Sequence, residues 1–396
     1  LARWADRGNR VTIITLTTAL WSAALAISGL AGNFLQLLLI RISVAVGEAG
    51  CVPPAQSLIA DHFTRAERPR ATAIYMLGVP LSAVIGYFVA GWLNELYGWR
   101  MTFVFLGLPG LGLAVLAKLT LREPRRLEPV PAAAGAEFPS VGLLQVIKIL
   151  WSNISFRHVL FCWSMVSFFG TGIWQWKPAF FIRTYGLQTS EVGTWFAIIY
   201  GVCALVGLYL GGELASRHAA NNERLQFRCI AVAYCIFGAV QGVMFLSPNQ
   251  YLAFALLAVS TVGIYTAHGP LFAAIQSLVA PSMRAMAVAI IYLFANLIGL
   301  GLGPLTAGAL SDELMPRFGD HSLRYALTIL CAGYLWAAWH LWQASRTVIR
   351  DLEAMQRSTG QDQRSASSGS PESRAGAQAE APYLRTALAA SPPDKS

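Results

Sequence analysis

Runs of about twenty apolar residues recur along this chain, separated by short charged loops, and no other feature constrains its fold as much. The hydrocarbon core of a bilayer is about 30 Å thick and takes about 20 apolar residues of helix to cross. Composition agrees: of 396 residues, 55% are hydrophobic and only 12% charged, against roughly 25% charged in a soluble domain. This excludes a disordered chain and argues against a soluble enzyme. The expected class is an all-α polytopic membrane protein. The formal charge of +9 does not point to nucleic acid, because the arginines sit in short loops between apolar runs rather than in a basic patch on a soluble face. The six cysteines, at 51, 162, 203, 229, 235 and 331, lie in or beside apolar runs without CxxC or metal spacing, and read as small buried hydrophobes.

Ten spans are expected, at about 11–31, 34–59, 71–92, 100–121, 156–184, 191–215, 226–247, 250–280, 285–310 and 323–343. Residues 122–155, opening on the polar, Pro/Ala-rich REPRRLEPVPAAAGAE, read as a linker between two bundles. Beyond the last span, 344–396 begin with a short helical extension and from Ser358 become low-complexity, too polar to pack. Alternate loops carry 14 and five Lys and Arg residues, respectively. The positive-inside rule makes the richer set cytoplasmic, with the linker and the C-terminal tail on that side.

The chain also repeats itself. RPRATAI at 68–74 resembles SMRAMAVAI at 282–290, and the Ala5-Asp6-Arg7 segment resembles Ala215-Ser216-Arg217. Arg7 precedes Arg70 by 63 residues and Arg217 precedes Arg284 by 67, with two spans in each interval. Two copies in the same order and orientation are the parallel repeat of a two-bundle transporter architecture. The second copy has six spans (156–343) and the first only four (1–121), so internal symmetry implies two helices ahead of residue 1. The alternative is a ten-helix protein that starts in a loop.

With these loops placed, the chain resembles the major facilitator superfamily, and within it the spinster-like group. Ala5-Asp6-Arg7-Gly8-Asn9-Arg10 is similar to the later half of the loop motif after the family's second helix, and Arg41 with Gly47-Glu48-Ala49 to its fourth-helix pattern. PAQSLIADHFTRAERPRATAIYMLGVP, WKPAFFIRTYG, QSLVAPSMRAMA and NLIGLGLGPLTAGALSDEL also resemble spinster-like sequences, and the likeness covers about residues 1–350. It implies the major facilitator fold, with two pseudo-symmetric bundles and ten visible helices (4 + 6). It also implies a cytoplasmic gate motif at Asp6, Arg7, Arg10 and Arg217, a charge latch that holds the outward-facing state closed. Two departures stand out. The family's first two helices, with their acidic coupling position, are absent, and Ser216 replaces the Asp expected in the second half-motif.

Intramembrane charge costs several kcal/mol on most estimates, which singles out Arg41 and Glu48, the two charges read as lying well inside a span. Seven residues apart, they are separated by about 700° and about 10.5 Å, so they share a face across the midplane. One reading makes them a proton-coupling pair, Glu48 being the carrier and Arg41 the cation nearest an acidic substrate. The other makes them an ion pair that fixes helix packing. Pro53-Pro54 are expected to bend the helix just beyond. Tyr265 and His268, Tyr292 and Asn296, and Trp174 are cavity candidates. The first two pairs share helix faces at i, i+3 and i, i+4, and His268 is a second proton candidate. Trp176, Lys177 and Arg183 read as an outer interfacial belt. The glycines of LIGLGLGPLTAG read as close helix packing, since no strand precedes them to make a nucleotide fingerprint.

The expectation is a secondary active, proton-coupled transporter that works by alternating access. Its substrate would be a lysolipid-like amphiphile or an organic anion. No cofactor, nucleic-acid partner or enzyme activity is expected, and no Walker A loop indicates ATP as the driver. A monomer in a bacterial inner membrane is expected. The reading from a different class is a non-transporting remnant or receptor-like protein.

Overall fold

The computed structural model describes residues 9–64, 67, 71, 74–75, 78–123, 143–219, 222–279 and 284–368. Among them every regular element is helical. In chain order these are α1 (Arg10–Ser28), α2 (Phe34–Ala49), α3 (Val52–His62), α4 (Gly78–Thr120), α5 (Leu143–Ser152), α6 (Ile154–Tyr185), α7 (Thr189–Ile198), α8 (Ala204–His218), α9 (Glu223–Leu246), α10 (Gln250–Thr266), α11 (His268–Ser277), α12 (Arg284–Phe294), α13 (Gly301–Phe318), α14 (Ser322–Cys331) and α15 (Gly333–Ser368). Six helical stretches are each long and apolar enough to cross a bilayer, and two of these, Leu81–Thr120 and Ala289–Ala354, are longer than one crossing requires.

Among the described residues, each of the ten spans expected from the sequence falls largely on helix, but their punctuation differs. The second span breaks at Gly50–Cys51, and α3 restarts with prolines in its first turn, where a missing N–H costs nothing. The third and fourth spans form α4, kinked at Gly98, whose φ of 75° and ψ of 165° suit glycine alone. The expected linker contains α5, an apolar LLQVIKILWS helix.

Asparagines set the helix starts. Asn9, Asn33, Asn153, Asn222 and Asn249 each cap a helix by accepting from a first-turn backbone N–H. Gly186, in the left-handed region at φ 69°, ends α6.

The first bundle packs the 99–120 arm of α4 and the helices α2 and α3 on α1. The second is built around α6, α9 and α15, joined by α10, α13 and α14. Its core runs through Phe156, Phe180, Phe181, Phe196, Phe227, Phe245 and Tyr234, all essentially buried. Two π-helical segments interrupt it, Ile199–Cys203 between α7 and α8 and Ala295–Leu300 between α12 and α13. Widened turns of this kind leave carbonyls short of a donor, and in lipid each must find one. Ser167 and Thr171 of α6 donate to the Ala295 and Gly299 carbonyls at 2.7 and 2.8 Å, and the Trp176 indole donates to the Pro304 carbonyl at 2.9 Å. Gly172 and Gly303 bring the two backbones close enough for this. The expected close packing is present at Gly299, Gly303 and Gly308, whereas Gly301 faces open space.

Among the described residues, the bundles meet chiefly where the 78–97 arm of α4 lies along α7 and its π-helical extension. A Cβ on Gly91 would lie 2.6 Å from the Thr189 carbonyl oxygen and 3.0 Å from the Gly193 Cα. Around this crossing the Trp92 indole donates to the Thr194 hydroxyl at 3.3 Å, the Asn94 amide to the Thr189 hydroxyl at 3.2 Å, and the Ser190 N–H to Glu95 at 3.0 Å.

Candidate functional site

A cavity of about 320 Å³ opens in the second bundle, close to that junction. α6 supplies Trp163, Ser167, Thr171, Trp174 and Lys177, the π-helical segment after α7 supplies Tyr200, and α9 supplies Gln241. Tyr265, His268 and Tyr334 complete its aromatic wall from α10, α11 and α15. The π-bulge that carries Tyr200 is a local departure of a kind frequent at functional sites. Tyr87, on the first-bundle side of the junction, stacks on Tyr200 with ring centroids 5.5 Å apart.

Lys177 is the main surprise. Expected in an outer belt with Trp176 and Arg183, it is instead 5% exposed and faces inward. Its ammonium donates to the Tyr200 hydroxyl and the Gln241 side-chain oxygen, both at 3.2 Å, and lies 5.7 Å from the Tyr200 ring centroid. Among the described residues no carboxylate stands within salt-bridge distance of it. Arg41 is therefore not the sole deep cation. The correction has a physical reason: burial is decided by Tyr200 and Gln241, which lie 23 and 64 residues further along the chain.

Of the five cavity candidates, the structure gathers three. Tyr265 and His268 stack at 5.0 Å with rings 17° apart, across the break between α10 and α11, and both line the cavity with Trp174. His268 Nδ1 lies 3.1 Å from the Ile264 carbonyl oxygen. A carbonyl only accepts, so Nδ1 carries the hydrogen and Nε2 is left as the neutral ring's basic atom. Tyr292 and Asn296 do not line it. Both are exposed, and Tyr292 meets Trp163 edge-on, centroids 6.4 Å apart. The π-helical turn that starts at Ala295 changes the register between them, so the α-helical i, i+4 rule no longer applies.

Arg41 and Glu48 are both exposed on α2, which packs on α1 through its buried Val44 and Gly47. Among the described residues neither forms a salt bridge. The Arg41 guanidinium lies 6.0 Å from the centre of the Phe103 ring.

Asp6 and Arg7 lie outside the described residues. Arg10 is fully buried at the start of α1. Its Nη1 bonds Asp61 at 2.6 Å and Ser57 at 2.8 Å, its Nε and Nη2 bond one oxygen of Glu123 at 3.1 and 2.5 Å, and its backbone N–H donates to the other at 2.6 Å. The motif thus ties three parts of the first bundle together. Sequence reading missed Ser57, Asp61 and Glu123; the presence of two acids at the ends of neighbouring spans was the available signal. The second copy is unlike it. Arg217 pairs with Glu213 one turn away on an exposed face of α8, a geometry usually worth well under 1 kcal/mol.

Comparison with known proteins agrees with this architecture. The model of the Major Facilitator Superfamily matches residues 1–304. An MFS-type efflux pump of Mycolicibacterium smegmatis is 30% identical over 358 residues, covering 89% of this chain and 81% of its relative. A hexuronate transporter of Bacillus subtilis is 23% identical, covering 83% and 78%. The crystal structure of a bacterial homolog of the human lysosomal transporter spinster, inward-facing and unoccupied, matches with a TM-score of 0.77 and 27% identity, over 88% of this chain and 86% of that one.

Proposed function

The chain belongs to the major facilitator superfamily, with spinster-like proteins among its relatives, and from that premise we propose that it is a secondary active transporter, proton-coupled, that moves a small amphiphile or organic anion by alternating access. That it is a multi-pass membrane transporter of small molecules follows from the family. The observation that supports the finer reading is the aromatic cavity with a buried cation, set beside the junction where, among the described residues, the two bundles chiefly meet.

The positive-inside count puts the 92–100 and 177–190 loops outside. The Gly91–Gly193 crossing then lies at the outer end, as an inward-facing state requires, and the matching bacterial spinster homolog was solved in such a state. Glu48 is the proton carrier on an accessible helix face, with Arg41 two turns before it. Asp6, Arg7 and Arg10 form the cytoplasmic gate motif, and Arg217 is its reduced counterpart. The protein acts as a monomer in a bacterial inner membrane, with linker and C-terminus cytoplasmic.

Reconstitution into liposomes tests this. An imposed pH gradient should drive accumulation of an anionic amphiphile or a sugar acid, and collapsing the gradient should stop it. Equal flux with and without the gradient would rule out proton coupling.

A further inference from the structure

We infer that Lys177 is an anion-binding residue, and that its cavity takes a substrate carrying a single acidic group, a carboxylate, phosphate ester or sulfonate, on an apolar or aromatic body. This deepens the transport reading above and rests on it.

The argument starts from an unneutralised charge. An ion held away from water costs several kcal/mol unless it is paired, and Lys177 is 5% exposed with only neutral acceptors. Its two bonds of 3.2 Å are long beside the roughly 2.7–2.9 Å of a charge-assisted pair. An ammonium carries three donors, so a third remains for a ligand. Among the described residues no carboxylate lines the cavity, although Ser167, Thr171, Gln241 and Thr261 give it other polar groups. A site that buries one cation, with no counter-ion among the described residues, is complementary to an anion.

The walls select the remainder of the ligand. Trp163, Trp174 and Tyr265 present broad aromatic surface, and most of the exposed lining is apolar. An acyl chain or ring covers that surface and releases water, a gain that a polyhydroxylated acid does not make. At about 320 Å³ the cavity falls at the small end of the usual range for ligand pockets of about 300–1,000 Å³, which suits one head group and the first part of its body.

The test is calorimetric binding to the full chain in detergent, using acids paired with uncharged counterparts: an acylglycerol phosphate against the monoacylglycerol, and naphthoate against naphthamide, with galacturonate as a polar acid. Each apolar acid should bind at least tenfold more tightly than its neutral partner and more tightly than galacturonate. K177M should abolish the charge preference and K177R should keep part of it. Without ligand, K177M should unfold no earlier than the wild type, because methionine removes a buried charge. The inference is overturned if acid and neutral partner bind alike, if K177M keeps the preference, if galacturonate binds as tightly as the apolar acids, if no acid binds, or if K177M unfolds early as a structural tie would. Liposome uptake separates the two readings. Charge-selective binding without uptake sinks transport alone, and uptake indifferent to charge and to K177M sinks the anion site alone.

Discussion

Gly91 and Gly193 face each other across the bundle junction so closely that a Cβ added to either would lie 3.0 Å from the Cα of the other. On the Gly91 side the Thr189 carbonyl oxygen lies nearer still, at 2.6 Å, and on the Gly193 side the Tyr87 carbonyl oxygen, at 2.5 Å. All are backbone, which cannot swing aside as a side chain can. Gly91→Val and Gly193→Leu should therefore separate the α4 arm from α7 while leaving each bundle folded. Cysteines introduced at Asn94 and Thr189 should cross-link readily in the parent and at least fivefold more slowly in either variant. Equal cross-linking would show that the junction accommodates a side chain.

The Arg10 network should carry measurable stability. Removing one member of a buried ion pair leaves its partner charged and unpaired, at a cost of about 3 kcal/mol or more. Glu123 is 5% exposed in this pairing. Arg10→Gln should lower the thermal unfolding midpoint in detergent clearly, whereas Arg217→Ala, which removes an exposed pair, should change it by less than about 1 kcal/mol equivalent. Equal effects would mean that the two copies of the motif contribute alike.

Glu48→Gln keeps the side chain's size and hydrogen-bonding reach but cannot carry a proton. It should abolish uptake driven by a pH gradient while leaving yield and unfolding midpoint unchanged. Wild-type pH dependence in this variant would remove Glu48 from the coupling role.

Gly98→Ala places a side chain where backbone angles of 75° and 165° are open to glycine almost exclusively, at a cost of about 1–3 kcal/mol. Gly112→Ala, on the same α4 but with open space around its Cβ, should be neutral or stabilising. The thermal midpoint should fall in Gly98→Ala and hold or rise in Gly112→Ala. A neutral Gly98→Ala would mean that the kink relaxes without loss.

The architecture was readable because a bilayer imposes one length and one polarity on every crossing, and among the described residues each of the ten expected spans lies largely on helix. Breaks within spans were less readable. Gly98 and Gly50 look like other small residues of a membrane helix until the backbone angles are known. The Asn residues that cap five helices were a legible signal left unused. At the cavity, Tyr265 and His268 were singled out by polarity near mid-span and Trp174 as an aromatic in the outer half of its span, and all three line it. Lys177 was misplaced because its neighbours in sequence, Trp176 and Arg183, suggest an interface, whereas its neighbours in space come from other helices. Tyr292 and Asn296 were paired by an α-helical rule that a π-helical turn suspends.

The Arg10 network has a consequence for the order of synthesis. Arg10 enters the bilayer edge early, but its partners Asp61 and Glu123 follow 51 and 113 positions later. α1 can already rest on the 99–120 arm of α4 through Ser22, Ala26 and Gly107, but its N-terminal end lacks its main counter-charge until the chain has been made as far as Glu123. One residue at the start of the linker therefore locks α1, α3 and the end of α4 together, so this end of the first bundle is fastened later than the helices it joins are made.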